Sequence, residues 1–211
     1  MEPVDFLTQE VTRLIGEVKG KKMLELGLAS HCLSAKFVAQ GASPILVEES
    51  SDKVSKLRNT EEFNEFKFEI RQTKLADLAF CPAESIDIAF SIIALAGTSD
   101  IARVFRQLQR VLKDQGTLIF GLIHPLAFMN LAMPNSESPL RYRSKATLVA
   151  EDLKWDFPVP LPEKFRQISF GETFSLLKRA GLAVDQLLEI PEEDSAADSG
   201  DPSALLIKAR K

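Results

Sequence analysis

Residues 23–31 have the sequence MLELGLASH, and this stretch carries the first signature of the fold. Met23 to Leu26 has the length and apolar character of a short buried strand. Gly27 follows with the backbone freedom that a tight turn needs, and residues 33–40 have a helix-forming composition. The stretch therefore predicts a strand, a turn and a helix, the repeating unit of an α/β sheet.

The same alternation extends to both sides of this unit. Apolar residues at helical spacing predict an opening helix over residues 4–18, which Gly20 ends, and a further helix over 52–63. Other strands are predicted at 45–47, 66–71, 86–93 and 117–123. Short apolar strands that alternate with helices favour right-handed crossovers and a parallel sheet with helices on both faces.

The clearest helix is predicted between the fourth and fifth strands. Asp100 is its N-cap candidate and Gly116 its stop signal. The apolar residues behind the cap form one helical stripe: Ile101, Val104, Phe105, Leu108, Val111 and Leu112.

The chain changes character after the fifth strand. Residues 124–168 hold six prolines with the only Trp and the only Tyr, which predicts an irregular lid with short helical pieces within a single domain, 1–211. The capping-box spacing of Ser169 and Glu172 predicts a helix that ends at Gly181. Two last strands are predicted near 183–190 and 204–209.

Composition excludes several classes of function. The net charge is −4 and the 26 Lys and Arg residues form no basic stripe, which argues against nucleic-acid binding. The apolar runs are shorter than a bilayer span and residues 1–5 are acidic where a signal peptide is basic, so we expect no membrane segment and a cytoplasmic location. Two cysteines and two histidines predict no disulfide framework and no metal site.

Residues at the carboxyl ends of the strands are the candidates for a binding site, because ligands of open parallel sheets lie there. A glycine such as Gly27 lets the backbone approach a bound nucleoside. Glu48 follows it by about twenty residues, the spacing at which an acid accepts hydrogen bonds from ribose hydroxyls, and Glu49 takes this task if the strand ends one residue later. The further candidates at the strand ends are Glu25, Lys74, Leu75, Ser91 and His124.

His124 is the candidate catalytic group. It follows the fifth strand, and histidine is the side chain that most often takes a proton from a nucleophile. The alternative is a histidine that is hydrogen-bonded by the lid backbone. His31 is either a pocket residue or a polar residue at the start of a helix.

Three motifs together resemble the class I S-adenosylmethionine-dependent methyltransferases, in particular their small-molecule, type 11-like branch. Residues 24–31 stand where that family has an acidic residue and a glycine-rich loop. Residues 85–91 stand for its fourth strand, and residues 110–118 for its helix-to-strand junction. The resemblance implies a Rossmann-like, seven-stranded, mostly parallel sheet with helices on both faces and an antiparallel last strand.

The resemblance also implies a cofactor, S-adenosylmethionine, and a reaction, methyl transfer to a small-molecule acceptor beneath the lid. The cofactor carries positive charge, which Glu25 would complement. The implied cofactor-binding residues are Glu25, Gly27, Ala29, Glu48, Glu49, Lys74, Leu75 and Ser91. No metal is implied.

Departures from the family pattern leave two alternatives open. Ala29 and His31 stand where the family usually has two more glycines, and Lys74 stands where an acid often bonds the adenine amine. The second hypothesis is therefore a methyltransferase-like binding or regulatory protein without activity. A nicotinamide-dependent oxidoreductase is the third, although residues 27–32 fail its glycine spacing. The methyl acceptor and the oligomeric state are not predicted.

Overall fold

A computed structural model describes residues 6–29, 32–130, 142, 147–152, 161–191 and 202–211, with only the backbone of Asn130 and Asp152. The helices are α1 (Phe6–Ile15), α2 (Leu33–Ala39), α3 (Ser51–Arg58), α4 (Glu61–Glu65), α5 (Ile101–Val111), α6 (Pro125–Asn130) and α7 (Phe170–Ala180). The strands are β1 (Lys22–Leu26), β2 (Ser43–Glu48), β3 (Glu69–Gln72), β4 (Ile86–Ser91), β5 (Leu112–Ile123), β6 (Thr147–Val149), β7 (Lys164–Arg166), β8 (Ala183–Pro191) and β9 (Pro202–Arg210). Short 3₁₀ turns cover Ala94–Gly97 and Ala150–Asp152.

The main sheet has seven strands in the order β3-β2-β1-β4-β5-β9-β8. Neighbours are parallel from β3 to β5, whereas β9 is antiparallel to both β5 and β8. Hence β8 points the same way as β5, and among the seven strands of the main sheet only β9, the last in the chain, is reversed. The predicted Rossmann-like architecture is confirmed.

Strand order reverses between β1 and β4. The chain moves outward from β1 through β2 to β3 and then returns to place β4 on the other side of β1. The loops that leave β1 and β4 therefore diverge and open a crevice at the carboxyl ends of these strands. This crevice is where the strand-end candidates were expected to meet.

Most predicted caps are confirmed by the hydrogen bonds at the helix ends. The Asp100 carboxylate accepts the Arg103 N–H at 2.9 Å, and the Ser169 hydroxyl accepts the Glu172 N–H at 3.3 Å. Gly181 ends α7 in the left-handed conformation, with φ +78°. These local signals fix where α5 and α7 begin or end because each involves residues close together in the chain.

Three predicted boundaries are wrong. The opening helix ends at Ile15 and not near Gly20. The helix predicted over 52–63 is two helices, because the Thr60 hydroxyl donates to the Leu57 carbonyl and accepts the Phe63 N–H, which ends one helix and caps the next. Gly116 does not end α5, which stops at Val111. The carbonyls of Arg110 and Val111 accept N–H groups from residues 84 and 85 instead, and the chain continues directly into β5.

The described part of the segment 124–168 is more regular than predicted. It contains α6 and an antiparallel pair, β6 and β7, in which Leu148 lies opposite Phe165. Leu148, Phe165 and Phe128 are buried and join the main core. Their burial explains the pairing, since an apolar strand is stable only when it packs on something.

Neither a membrane span nor a metal cluster is found in the described part of the chain. No described helix is long and apolar enough to cross a bilayer. No group of three or more His, Cys, Asp or Glu side chains is arranged to hold a metal ion among the residues searched.

Candidate functional site

A cavity of about 620 Å³ opens at the carboxyl ends of the central strands. Its walls are residues 27–29 after β1, the end of β2 with the start of α3, Leu75 after β3, the turn after β4, and residues 162–164 of the predicted lid. This volume lies within the range of roughly 300–1,000 Å³ that small-molecule sites occupy. The cavity is the crevice that the strand order predicts.

Contacts from β2 and α3 hold the loop after β1 in place. Gly27 has φ +76°, and its N–H donates to the Val47 carbonyl at 2.8 Å. The Leu28 N–H donates to Glu48 Oε2 at 2.8 Å, and Lys53 Nζ donates to the Leu28 carbonyl at 3.1 Å. The N–H and the carbonyl of Leu28 are therefore both held by side chains. These bonds fix a loop whose described part has a single glycine.

Glu48 lies in the cavity wall with its carboxylate oriented by the backbone. It is buried, and its Oε1 accepts the Ser50 N–H at 2.8 Å while Oε2 accepts the Leu28 N–H. A carboxylate has about four lone-pair sites, so two backbone bonds leave capacity for two further donors. Lys53 Nζ, 4.0 Å from Oε2, adds a positive charge nearby.

Glu49 joins the ends of β2 and β3. Its Oε1 accepts the Leu75 N–H at 2.9 Å, and both residues line the cavity. Lys74, by contrast, is exposed and is not among the lining residues. Its carbonyl accepts the Asp77 N–H at 2.8 Å within the turn after β3. The geometry thus gives Lys74 no part in the cavity wall, contrary to the expectation that it binds the cofactor.

Glu25 lies behind the loop and not in the cavity wall. It is 1% exposed, and its Oε2 accepts the Ser34 N–H at 2.9 Å and the Ser34 hydroxyl at 2.6 Å. Burial raises the pKa of Glu25 to about 7, against the lowering effect of the Ser34 hydrogen bonds. Cys32, the N-cap of α2, makes no side-chain cap bond, so Glu25 serves the N-terminus of α2 in its place. Glu25 therefore does not line the cavity in which a direct contact with a cationic ligand was expected.

One oxygen of Glu25 is left over. Glu25 Oε1 is buried and has no hydrogen-bond partner among the described residues. A buried carboxylate oxygen without a donor is costly, and protonation of the group reduces that cost. The lack of a hydrogen-bond donor at Oε1 is consistent with the raised pKa of Glu25.

Ser91 also points away from the cavity. It is fully buried, and its hydroxyl donates to the Leu26 carbonyl at 2.8 Å, which links β4 to β1. Ser91 is not among the lining residues, whereas Ala29 is. His31 lies outside the described residues.

His124 is engaged at both ring nitrogens. Its Nδ1 accepts the Leu126 N–H at 3.1 Å, so the ring proton is assigned to Nε2, which lies 3.1 Å from Glu189 Oε1. The ring is 2% exposed, packs edge-on against Phe170 and does not line the cavity. A histidine in this arrangement caps α6 and has no lone pair facing a substrate. The geometry does not support the catalytic role predicted for His124.

Several wall residues were not anticipated from the sequence. Lys53 and Thr98 carry no motif, and residues 162–164 reach the site only because the lid strands pack against the turn after β4. Gly97 permits this packing, since a Cβ there would lie 2.6 Å from the Pro162 Cβ. In the sequence, Gly97 after an apolar stretch was the one available signal that another segment packs closely at this turn.

Comparison with known proteins finds methyltransferases. Residues 24–120 match the family described as "Methyltransferase domain". The chain is 25% identical over 149 residues to the ubiquinone biosynthesis O-methyltransferase of Actinobacillus pleuropneumoniae serotype 5b, a match that covers 68% of this chain and 62% of that protein. The match thus spans less than two thirds of the relative's length.

Solved structures share the whole architecture. An S-adenosylmethionine-dependent methyltransferase from Mesorhizobium loti is 19% identical with a TM-score of 0.69, and 97% of each chain is covered. A second from Methanosarcina mazei is 15% identical with a TM-score of 0.65, covering 99% of this chain and 98% of that one. The [4+2]-cyclase SpnF is 14% identical with a TM-score of 0.66, covering 97% and 81%. These likenesses concern the fold.

Motifs, sheet order and comparisons agree. The methyltransferase-domain match covers a little under half of the chain, and over that part the chain is similar to the class I S-adenosylmethionine-dependent methyltransferases. The Mesorhizobium loti and Methanosarcina mazei proteins are both described as dependent on S-adenosylmethionine.

Proposed function

We propose that this protein transfers a methyl group from S-adenosylmethionine to a small-molecule acceptor in the cavity at the strand ends. The observation that carries the proposal is the Glu48 carboxylate, which is held by two backbone N–H groups in the wall of that cavity. It retains acceptor capacity for the two neighbouring hydroxyls of a ribose. The matched methyltransferase domain supports the same cofactor.

The wall residues fit the nucleoside half of the cofactor. Glu48 would hold the ribose, and the bare backbone at Gly27 would allow close approach next to it. Glu49 and Leu75 would lie beside the nucleobase. Glu25 would act from behind the loop by fixing α2. When bound, S-adenosylmethionine supplies a methyl carbon that the sulfonium already activates.

The acceptor would lie between the turn after β4 and the lid. Ile93, Thr98 and Pro162 line this side of the cavity, and we propose residues 124–168 as a lid within one domain spanning 1–211. Positioning of the acceptor and exclusion of water are the protein's main contributions, since aligned reactants gain a large effective concentration. No general base is assigned, because His124 does not line the cavity.

A small acceptor is favoured over a macromolecule. The chain lacks a basic stripe for a nucleic-acid backbone, and the cavity has the volume of a metabolite site. The curated relative is named for ubiquinone biosynthesis and for O-methylation, which is consistent with a small acceptor. A cytoplasmic location remains part of this proposal.

Methyl transfer is tested with cofactor that carries a deuterated methyl group. Purified protein, labelled cofactor and a fractionated metabolite extract should yield S-adenosylhomocysteine and a methylated small molecule, detected by mass shift. Glu48→Gln should lower the initial rate at least 10-fold at subsaturating cofactor, because one ribose acceptor becomes an amide. The control is Asp52→Asn, an exposed acid of α3 that does not line the cavity.

Two results would contradict the proposal. The label could appear only in macromolecular fractions, which would exclude a small acceptor. Alternatively, the protein could bind cofactor and release no S-adenosylhomocysteine with any fraction, which would favour a binding protein without activity.

A further inference from the structure

Methyl transfer to an O–H or N–H group releases one proton from the acceptor, and His124 lies outside the cavity in which that proton appears. We propose that Glu163 is the general base that accepts it, and that the acceptor is a small molecule reacting through oxygen or nitrogen. The inference rests on the proposed function and adds to it a catalytic residue and a class of acceptor. Glu163 lines the cavity on the side of the lid, next to Pro162.

Glu163 is the carboxylate of the cavity wall that has no other task. The acids that line the cavity among the described residues are Glu48, Glu49 and Glu163. Glu48 is held by two backbone N–H groups, and Glu49 accepts the Leu75 N–H at 2.9 Å. Both stand at the end of β2, on the side where the nucleoside would bind. The Glu163 carboxylate makes no hydrogen bond and no ion pair with the part of the chain that the structure describes.

The other polar side chains of the described wall are poor proton acceptors. Lys53 and Lys164 line the cavity, but a lysine ammonium has three donors and no acceptor. The remaining groups are the hydroxyls of Ser50, Ser51 and Thr98, which are not among the side chains that commonly remove protons. A carboxylate is such a group.

The lid strands fix the backbone of Glu163 beside the acceptor side of the cavity. Its carbonyl accepts the Ala150 N–H at 2.9 Å, which continues the pairing of β6 with β7. Pro162 packs on the turn after β4, since a Cβ at Gly97 would lie 2.6 Å from the Pro162 Cβ. Phe165, on the other side of Glu163, is buried in the core. Glu163 itself is exposed, so its carboxylate can turn toward an acceptor while the main chain stays in place.

The neighbouring cations do not neutralise Glu163. Side chains alternate along β7, so Lys164 and Arg166 lie on the face opposite the buried Phe165. Arg166 pairs with Glu172 of α7 at 2.9 Å. A nearby positive charge stabilises the ionised form of a carboxyl, so a carboxylate without such a partner accepts a proton more readily than a paired one.

In the transfer step, a lone pair of the acceptor oxygen or nitrogen attacks the methyl carbon. The carbon–sulfur bond breaks and its electron pair stays on sulfur, which loses its positive charge. The O–H or N–H bond of the acceptor also breaks, and its proton moves to a carboxylate oxygen of Glu163. Water then takes the proton from this exposed side chain. An acceptor that has no proton to lose, such as a thioether, would gain nothing from Glu163.

Sinefungin tests the position of the carboxylate without any acceptor. In this analogue of the cofactor, a carbon that bears an ammonium group replaces the sulfonium and its methyl group. A carboxylate that reaches the reacting atoms would bind that ammonium group. In calorimetry, Glu163→Gln should therefore weaken sinefungin by roughly 10-fold or more and leave S-adenosylhomocysteine unchanged. The matched control is Glu151→Gln, an exposed acid of the lid that does not line the cavity, which should change neither affinity.

The assay with labelled methyl groups and the active metabolite fraction tests the chemistry. At saturating cofactor, Glu163→Gln should slow a single turnover by roughly 100-fold or more, because a positioned base is typically worth this much. Glu163→Asp, which retains a carboxylate, should keep part of the rate, and Glu151→Gln should keep all of it. Mass spectrometry in D₂O should count one exchangeable hydrogen fewer in the product than in the acceptor.

Each outcome decides the proposal. A loss of affinity for sinefungin alone, together with slowed transfer, supports it. An unchanged rate in Glu163→Gln overturns it, as does a sinefungin affinity that is unchanged or that falls equally with that for S-adenosylhomocysteine. A product with as many exchangeable hydrogens as its acceptor also overturns it, and the proposed function stands in all these cases. Folded wild-type protein that releases no S-adenosylhomocysteine with any fraction overturns both. Thermal melting establishes that each variant is folded.

Discussion

Replacing Gly27 with alanine is expected to lower the free energy of unfolding by about 3 kcal/mol and to weaken cofactor binding at least 10-fold. Gly27 has φ +76°, which costs an L-residue roughly 1–2 kcal/mol. A Cβ there would also lie 2.2 Å from the Ala94 Cβ. Because that atom is attached directly to the backbone of the turn after β4, the turn must move, and overpacking of this kind costs roughly 1–3 kcal/mol.

Gly16→Ala is the matched control for this prediction. Gly16 has φ +71°, but an added Cβ there meets nothing within 4 Å. It should therefore lose about 1 kcal/mol and leave cofactor affinity unchanged. Urea denaturation gives the two stabilities, and calorimetry with S-adenosylhomocysteine gives the two affinities. If both variants lost the same stability and the same affinity, the clash of an added Cβ at residue 27 with Ala94 would not be the cause of the Gly27→Ala effect.

Glu25→Gln is expected to stabilise the protein at pH 8 by on the order of 3 kcal/mol and to have little effect near pH 4. Burial raises the pKa of Glu25 from 4.5 to about 7, so the folded state holds the proton more tightly than the unfolded state. The resulting stability is fully present below pH 4.5 and is lost as the pH rises through 7. Glutamine resembles the protonated acid, since its oxygen can accept the Ser34 bonds at every pH.

The measurement is the free energy of unfolding of both proteins from pH 4 to pH 9. The difference between them should grow from near zero to its full value between about pH 4.5 and 7.5. Asp52→Asn, at an exposed position, should show no such pH dependence. A difference for Glu25→Gln that is constant with pH, or that grows toward acid, would contradict the assignment of a buried carboxyl with a raised pKa.

Local signals predicted much of the fold. The strand at residues 22–26, the Asp100 cap and the stop at Gly181 depend on neighbours in the chain, and each was predictable from a short window. The Thr60 break and the end of α5 were not. The first depends on a hydroxyl that competes for backbone groups, and the second on N–H groups of residues 84 and 85, far away in sequence.

The position of the candidate site was predictable from the sequence, whereas the orientation of its candidate side chains was less so. The rule that ligands lie at strand ends found Gly27, Glu48 and Leu75, because their place depends only on where strands stop. It could not show that Glu25 and His124 turn into the interior, since their partners Ser34 and Glu189 are brought near by folding. The lid residues of the wall depend on tertiary packing and left no motif.

Isothermal titration calorimetry of the wild-type protein with S-adenosylhomocysteine tests the assignment of the cavity most directly. A nucleoside held by Glu48 at the ends of β1 and β2 predicts saturable binding of one molecule per chain, greatly weakened in Glu48→Ala. The missing G-x-G-x-x-G spacing in residues 27–32 predicts no binding of NAD. Absence of S-adenosylhomocysteine binding to the folded protein, or binding of NAD in its place, would contradict it.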